Sequence, residues 1–160
     1  MQAFISYAHD DYRAFTEFSA CLKPVARAFG IDVWADKRLK AGHYWDARIK
    51  AAIDASDMYV LLMSTRFLAS DYIFDHELPA IEARSRSGAL TLPVVLERCY
   101  WHAFLGVLQA VPMGDKGRLV PAKDWRPQRD GYCAACEQIA AAISDHFKIA
   151  PVSPFRWSGP

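Results

Sequence analysis

Short apolar runs alternate along the chain with longer stretches whose apolar residues recur every three or four positions. Ala3-Phe4-Ile5-Ser6-Tyr7 is the first run, ending in polar residues, and it suits a buried strand. Phe15, Phe18, Leu22, Val25 and Phe29 then keep helical spacing, with Asp10 or Asp11 placed to cap that helix and Gly30 to end it. Pro24 falls inside the pattern and is expected to kink or split the helix. Ile31-Asp32-Val33-Trp34-Ala35 alternates like a strand, and a polar loop follows from Asp36 to about His43. A second helix is predicted from about Trp45 to Ala55, with Ile49 and Ile53 inward. Met58-Tyr59-Val60-Leu61-Leu62-Met63 is a nearly continuous apolar run, as a central parallel strand requires. Ser64-Thr65 opens a helical stretch reaching about Ser87, with Ser70-Asp71 as its candidate break. Leu90 to Leu96 is the fourth strand. Its Pro93 lacks an N–H, so a bulge or one free side is expected there. Between residues 100 and 125 the pattern gives a short helix from Trp101 to Leu108 and a short strand at Leu119-Val120. Helical spacing returns from Tyr132 to Phe147 through Cys136, Ile139 and Ile143.

Repeated strand–helix alternation implies an α/β fold with right-handed crossovers and helices on both faces. The expected architecture is a flavodoxin-like, doubly wound, parallel five-stranded sheet in the order 2-1-3-4-5. Its topological switch point lies between strands 1 and 3, so a ligand should bind beyond their carboxyl ends. That rule selects the loop after Tyr7 (Ala8 and His9), the segment after Ser64, and the loop after Ala35 that can fold over the crevice.

Composition narrows the class. A chain of 160 residues with 52% hydrophobic and 23% charged positions makes one ordinary globular domain, expected over residues 1–150. The Pro-rich stretch 151–160 reads as a linker or disordered tail, possible lead to a downstream sensor domain. A net charge of +1 gives no long-range pull on nucleic acid or anionic lipid, and neither partner is expected. No apolar run approaches a membrane span and no signal-peptide pattern opens the chain, which points to the cytoplasm. Cys21, Cys99, Cys133 and Cys136 then read as free thiols. Cys133 and Cys136 form a CxxC in strongly helical surroundings with no second pair, so helix packing is expected rather than zinc or redox chemistry.

Several chemistries are absent from the sequence. There is no GxxxxGK[ST], no GxGxxG after a strand, no GxSxG and no HExxH. Asp10 and Asp11 resemble the acidic pair of a phosphoacceptor switch, but strand 3 ends in Met63-Ser64, without the acceptor carboxylate. Of the acidic residues after strand 3, Glu77 stands out. Tyr72 and Phe74 precede it and Leu78 and Ile81 follow, and a carboxylate beside aromatic surface at a switch-point crevice is a candidate catalytic group.

A run of motifs resembles the Toll/interleukin-1 receptor (TIR) domain family in its bacterial form. They are Phe4-Ile5-Ser6-Tyr7, Val33-Trp34-Ala35-Asp36, Leu39-Lys40-Ala41-Gly42-His43-Tyr44-Trp45, Ala55-Ser56-Asp57, Val60 through Ser64, Phe67 through Tyr72, and Glu77-Leu78. The resemblance implies the flavodoxin-like fold and, for enzymatic members, cleavage of the nicotinamide–ribose bond of NAD⁺ by a glutamate after strand 3. Glu77 matches that glutamate. Tyr7, Ala8, His9, Asp36, Tyr44, Trp45, Ser64, Tyr72 and Phe74 are the candidate substrate-binding residues. NAD⁺ enters as substrate, with no cofactor and no metal. The resemblance further implies homo-oligomers through TIR–TIR contacts, a role in anti-phage defence, and, as the alternative, a non-catalytic interaction module using the Asp36–Trp45 loop. One departure stands out: the family pattern has an aromatic four residues before the glutamate, whereas Tyr72 lies five before Glu77. Either the segment is one residue longer or Phe74 supplies the ring.

Overall fold

The computed structural model describes residues 1–35 and 44–152, and for 44–46 the backbone only. Strands β1 (Gln2–Ser6), β2 (Asp32–Ala35), β3 (Met58–Met63) and β4 (Leu90–Val95) form one parallel sheet in the order 2-1-3-4. Between and after them run α1 (Tyr12–Phe29), α2 (Tyr44–Ala55), α3 (Thr65–Leu68), α4 (Leu78–Arg86), α5 (His102–Leu105) and α6 (Gln128–Phe147). The period-two alternation of the strands sorts two cores. Ala3, Ile5, Met58, Val60, Leu62, Leu92 and Val94 pack with Phe15, Phe18 and Leu22 of α1 and Tyr132, Ile139 and Ile143 of α6. Phe4, Tyr59, Leu61, Met63 and Val95 pack with Ile49 and Ile53 of α2, Phe67 of α3 and Ile81 of α4. All six residues of β3 are buried, which is why that strand reads as an unbroken apolar run.

The fifth strand is reduced to a single bridge. Val111 lies parallel to Val94, donating its N–H to the Pro93 carbonyl at 2.9 Å and accepting from the Val95 N–H at 2.8 Å. The next residue that would bond to β4 is Met113. Gln138 of α6 takes both of its backbone groups, each at 2.8 Å, so pairing stops there. Pro93 thus turns its missing N–H toward the side with almost no ladder, the free side its sequence calls for. The strand expected at Leu119-Val120 is likewise only an antiparallel bridge, Met113 to Leu119.

The split expected at Pro24 and the side-chain cap expected of Asp10 or Asp11 need correction. Pro24 does not split α1, which runs unbroken for 18 residues. Pro24 and Ala20, whose carbonyl loses its partner, both face solvent, where water can satisfy that oxygen. Neither Asp10 nor Asp11 caps α1 through its side chain. A 3-10 turn, His9–Asp11, leads into the helix, and the Asp11 carboxylate is engaged elsewhere. Gly30 ends α1 as expected, with φ of 61° in the left-handed region that favours glycine.

Candidate active site at the carboxyl ends of strands 1 and 3

The chain after α3 returns to helix through a π turn, Ile73–Glu77, in which the Leu78 N–H bonds to the Ile73 carbonyl five residues back. A π turn amounts to one residue inserted into an α-helix, and such turns recur at functional sites. It accounts for the five-residue spacing in the sequence. Tyr72 and Glu77 are separated by one turn of the wider spiral, as residues four apart are in an α-helix. The segment is one residue longer, and Phe74 is turned elsewhere: its ring meets Phe104 edge-on at 4.9 Å in a groove lined by Leu78, Leu105 and Leu108.

Glu77 is 7% exposed, although it is a carboxylate. The Ser6 hydroxyl, at the last residue of β1, donates to its Oε2 at 2.5 Å. The strand period explains the meeting, because Ser6 shares the face of Phe4, against which α2 and α4 pack. The elements around it are held by Tyr59 and Arg84. The buried Tyr59 hydroxyl donates to the Ile53 carbonyl at 2.6 Å, and Arg84 of α4 donates from Nε to Tyr59 and from Nη2 to the Ser56 carbonyl. Burial pushes the Tyr59 hydroxyl above the usual phenol range, so it stays a neutral strut.

The other predicted residues divide. Tyr72 is half-buried, 5.0 Å from the His76 ring, and borders the groove between α2 and α4 with Ile49 and Ile53. Tyr7 stacks on Phe15 of α1 at 4.2 Å, packing toward the opposite face of the sheet from Ser6. Ala8 is buried and its carbonyl closes the 3-10 turn on the Asp11 N–H at 2.8 Å, while His9 is exposed beside it. Ser64 is fully buried at the end of β3. Its hydroxyl donates to Asp11 and accepts from the Phe67 N–H, capping α3, so its proton is already committed. Asp36 lies outside the described residues. Tyr44 and Trp45 open α2, and their side chains lie outside the described part.

A second polar constellation at the same edge escaped the sequence reading. The Asp11 carboxylate, with side-chain exposure of 1%, accepts from Ser64 and from Arg66 Nη1 at 3.1 Å, with Lys123 Nζ 3.9 Å away. Lys123 also binds Glu97 at 2.8 Å, and Glu97 accepts from the Thr65 N–H at 3.1 Å. The Lys123 hydrogen bond holds the Glu97 carboxyl below the usual carboxylate range despite its partial burial. This web ties the β1–α1 connection to the start of α3 and to the segment after β4. These segments at the carboxyl ends of the strands are thereby fixed to one another. Ser6 was readable in principle, as a hydroxyl in phase with Phe4 at a strand's carboxyl end.

The model of the TIR domain matches residues 3–124 of the chain. The chain belongs to the TIR domain family. An uncharacterized protein of Sinorhizobium fredii (strain NBRC 101917 / NGR234), y4lF, is 31% identical over 155 residues. The alignment covers 96% of this TIR chain and 47% of that protein, so the chain spans about half the length of this relative. The matched region, residues 3–124, contains both Glu77 and the Asp11 web. Among the described residues, no helix of this TIR chain is long and apolar enough to cross a membrane.

Proposed function

We propose that this TIR domain is an NAD⁺ nucleosidase in which Glu77 acts on the nicotinamide–ribose bond, releasing nicotinamide and ADP-ribose or a cyclised product. The observation that carries the reading is a carboxylate 7% exposed at the carboxyl ends of β1 and β3, held by the Ser6 hydroxyl. The switch-point rule assigns ligands to that place in a doubly wound sheet. Nicotinamide leaves as a neutral group from a pyridinium, so its departure needs neither a general acid nor a metal. Positive charge builds on the ribose, as in glycoside cleavage. A carboxylate sheltered from water stabilises such a cation far better than one in bulk solvent. Ser6 fixes its orientation, and Tyr72, one wide turn away, supplies a ring at the border of the α2–α4 groove. The Asp36–Trp45 loop of a neighbouring copy completes the site, so that activity depends on self-assembly. The setting is cytoplasmic anti-phage defence.

The test is nicotinamide release from millimolar NAD⁺, followed chromatographically for wild type and Glu77→Gln. Wild type turns over and the variant falls by about 10²–10³-fold, the usual loss of one electrostatic stabiliser, with its melting curve intact. Equal release from both proteins removes Glu77 from the chemistry. Specific activity that rises with protein concentration supports assembly-dependent completion, and full activity of a monomer counts against it. A second reading, a non-catalytic TIR–TIR interaction module, is favoured by Tyr100 and Val107. Both are large side chains left 78% and 95% exposed on one segment. It predicts concentration-dependent association with no turnover by either protein.

A further inference from the structure

The CxxC of the sequence sits on α6, where residues three apart share a side of the helix, and that side faces α1. Cys136 is buried, its sulfur 4.0 Å from the Phe18 carbonyl. Cys133, one turn earlier and half-buried, does not pair with it. Its sulfur lies 2.8 Å from that of Cys21 on α1. A disulfide bond is ~2.05 Å long, so these two thiols approach bonding distance while both remain free. The TIR match ends at residue 124, before α6 begins. A bond between the two sulfurs would therefore join the last helix of the described chain to the first helix of the matched region.

We propose that Cys21 and Cys133 are an oxidation site at which a hydroperoxide forms a disulfide, locking α6 onto α1. Cys133 is the more accessible of the pair and is the sulfur that meets the oxidant. Its thiolate attacks one peroxide oxygen and the O–O bond breaks. The sulfur becomes a sulfenic acid, and the other oxygen leaves as water or alcohol after taking a proton. The Cys21 sulfur, deprotonated as it reacts, then attacks the Cys133 sulfur. The S–S bond forms, the S–O bond breaks, and the sulfenic oxygen departs as a second water. Two electrons pass from the sulfurs to the peroxide, and both thiol protons end on oxygen. The Arg129 guanidinium, one turn before Cys133, works against the burial and the neighbouring Cys133 that push the Cys21 thiol up to about 11. Cys136 is deeper, and its burial pushes the thiol further still, so it stays protonated and outside the exchange.

The proposal is independent of the NAD⁺ reading, because its readouts are linkage and stability. The full chain is treated with a small molar excess of hydrogen peroxide, its remaining thiols are alkylated, and the digest is mapped by mass spectrometry. The expected product is one intramolecular Cys21–Cys133 bridge with Cys99 and Cys136 alkylated. The oxidised protein should melt roughly 5–10 °C above a sample kept in dithiothreitol, as a staple closing a long loop predicts. Cys99→Ser should keep both the bridge and the shift, whereas Cys133→Ser should lose both. A Cys133–Cys136 bridge, cross-links between chains, or four thiols still free after treatment would overturn the site. A correct bridge without a rise in melting temperature would overturn the locking.

Discussion

On one face of the sheet α1 and α6 run for 18 and 20 residues without a break. On the other, α3, the π turn and α4 divide a comparable length of chain into pieces of four, five and nine residues. The long helices give regular rows of fully buried apolar side chains, Phe18, Tyr132, Ile139 and Ile143 among them. The broken segment gives something a regular helix of the same sequence would misplace: a glutamate turned in against a strand end. One face maximises apolar burial, and the other gives up helical regularity to hold one carboxylate in position. Glu77 belongs to the irregular face, and the regular face supplies the packed layer behind the sheet.

The sharpest way to break this contrast is to damage the regular face alone. Phe18→Ala empties the space of a ring with no exposed surface and should cost about 3–5 kcal/mol of stability in urea unfolding. Nicotinamide release per folded molecule should be unchanged at a temperature where the variant remains native. A fall in kcat in step with the lost stability would mean that the two faces are not separable.

Ser6→Ala probes the irregular face with a smaller expected effect. It removes the hydroxyl donor to Glu77 and one small oxygen, without disturbing the apolar phase of β1. Release should slow by about tenfold, the worth of a hydrogen bond to a charged group. Ser6→Thr, which keeps the hydroxyl, should recover most of the rate. A Ser6→Thr variant as slow as Ser6→Ala would make Ser6 a packing residue only.

How far each face was legible follows from the same contrast. β3 was readable end to end because both of its sides are covered; Glu77 drew notice because Tyr72 and Phe74 precede it and Leu78 and Ile81 follow, although Asp75 and His76 stand directly before it. The π turn left one trace in the sequence, the five-residue interval between Tyr72 and Glu77, which a 3.6-residue period cannot interpret. Asp11 looked like a helix cap because capping is local. Its actual partners, Ser64 and Arg66, are 53 and 55 residues further on, beyond the reach of any pattern within a window. The fifth strand failed for a similar reason, since a glutamine side chain on α6 intercepts the backbone groups that would have extended it.

The smallest effect belongs to the Asp11 web, where Lys123→Met removes the bond to Glu97 and the longer contact with Asp11 but leaves Arg66 on Asp11. Lys123 and Glu97 keep 28% and 30% side-chain exposure, so solvent screens the pair and a loss of about 1 kcal/mol at pH 7 is expected. The sign with pH follows from Glu97, whose carboxyl the Lys123 hydrogen bond holds low in the folded state. A depressed carboxylate contributes its stability above its unfolded value of ~4.3 and loses it as the pH falls through the lower folded value. The gap between wild type and Lys123→Met in urea midpoints should therefore be full at pH 7 and close as the solution is taken below the folded value. A gap that persists undiminished in acid would mean that the lysine acts through the packing of its stem, and that the web is held by shape rather than charge.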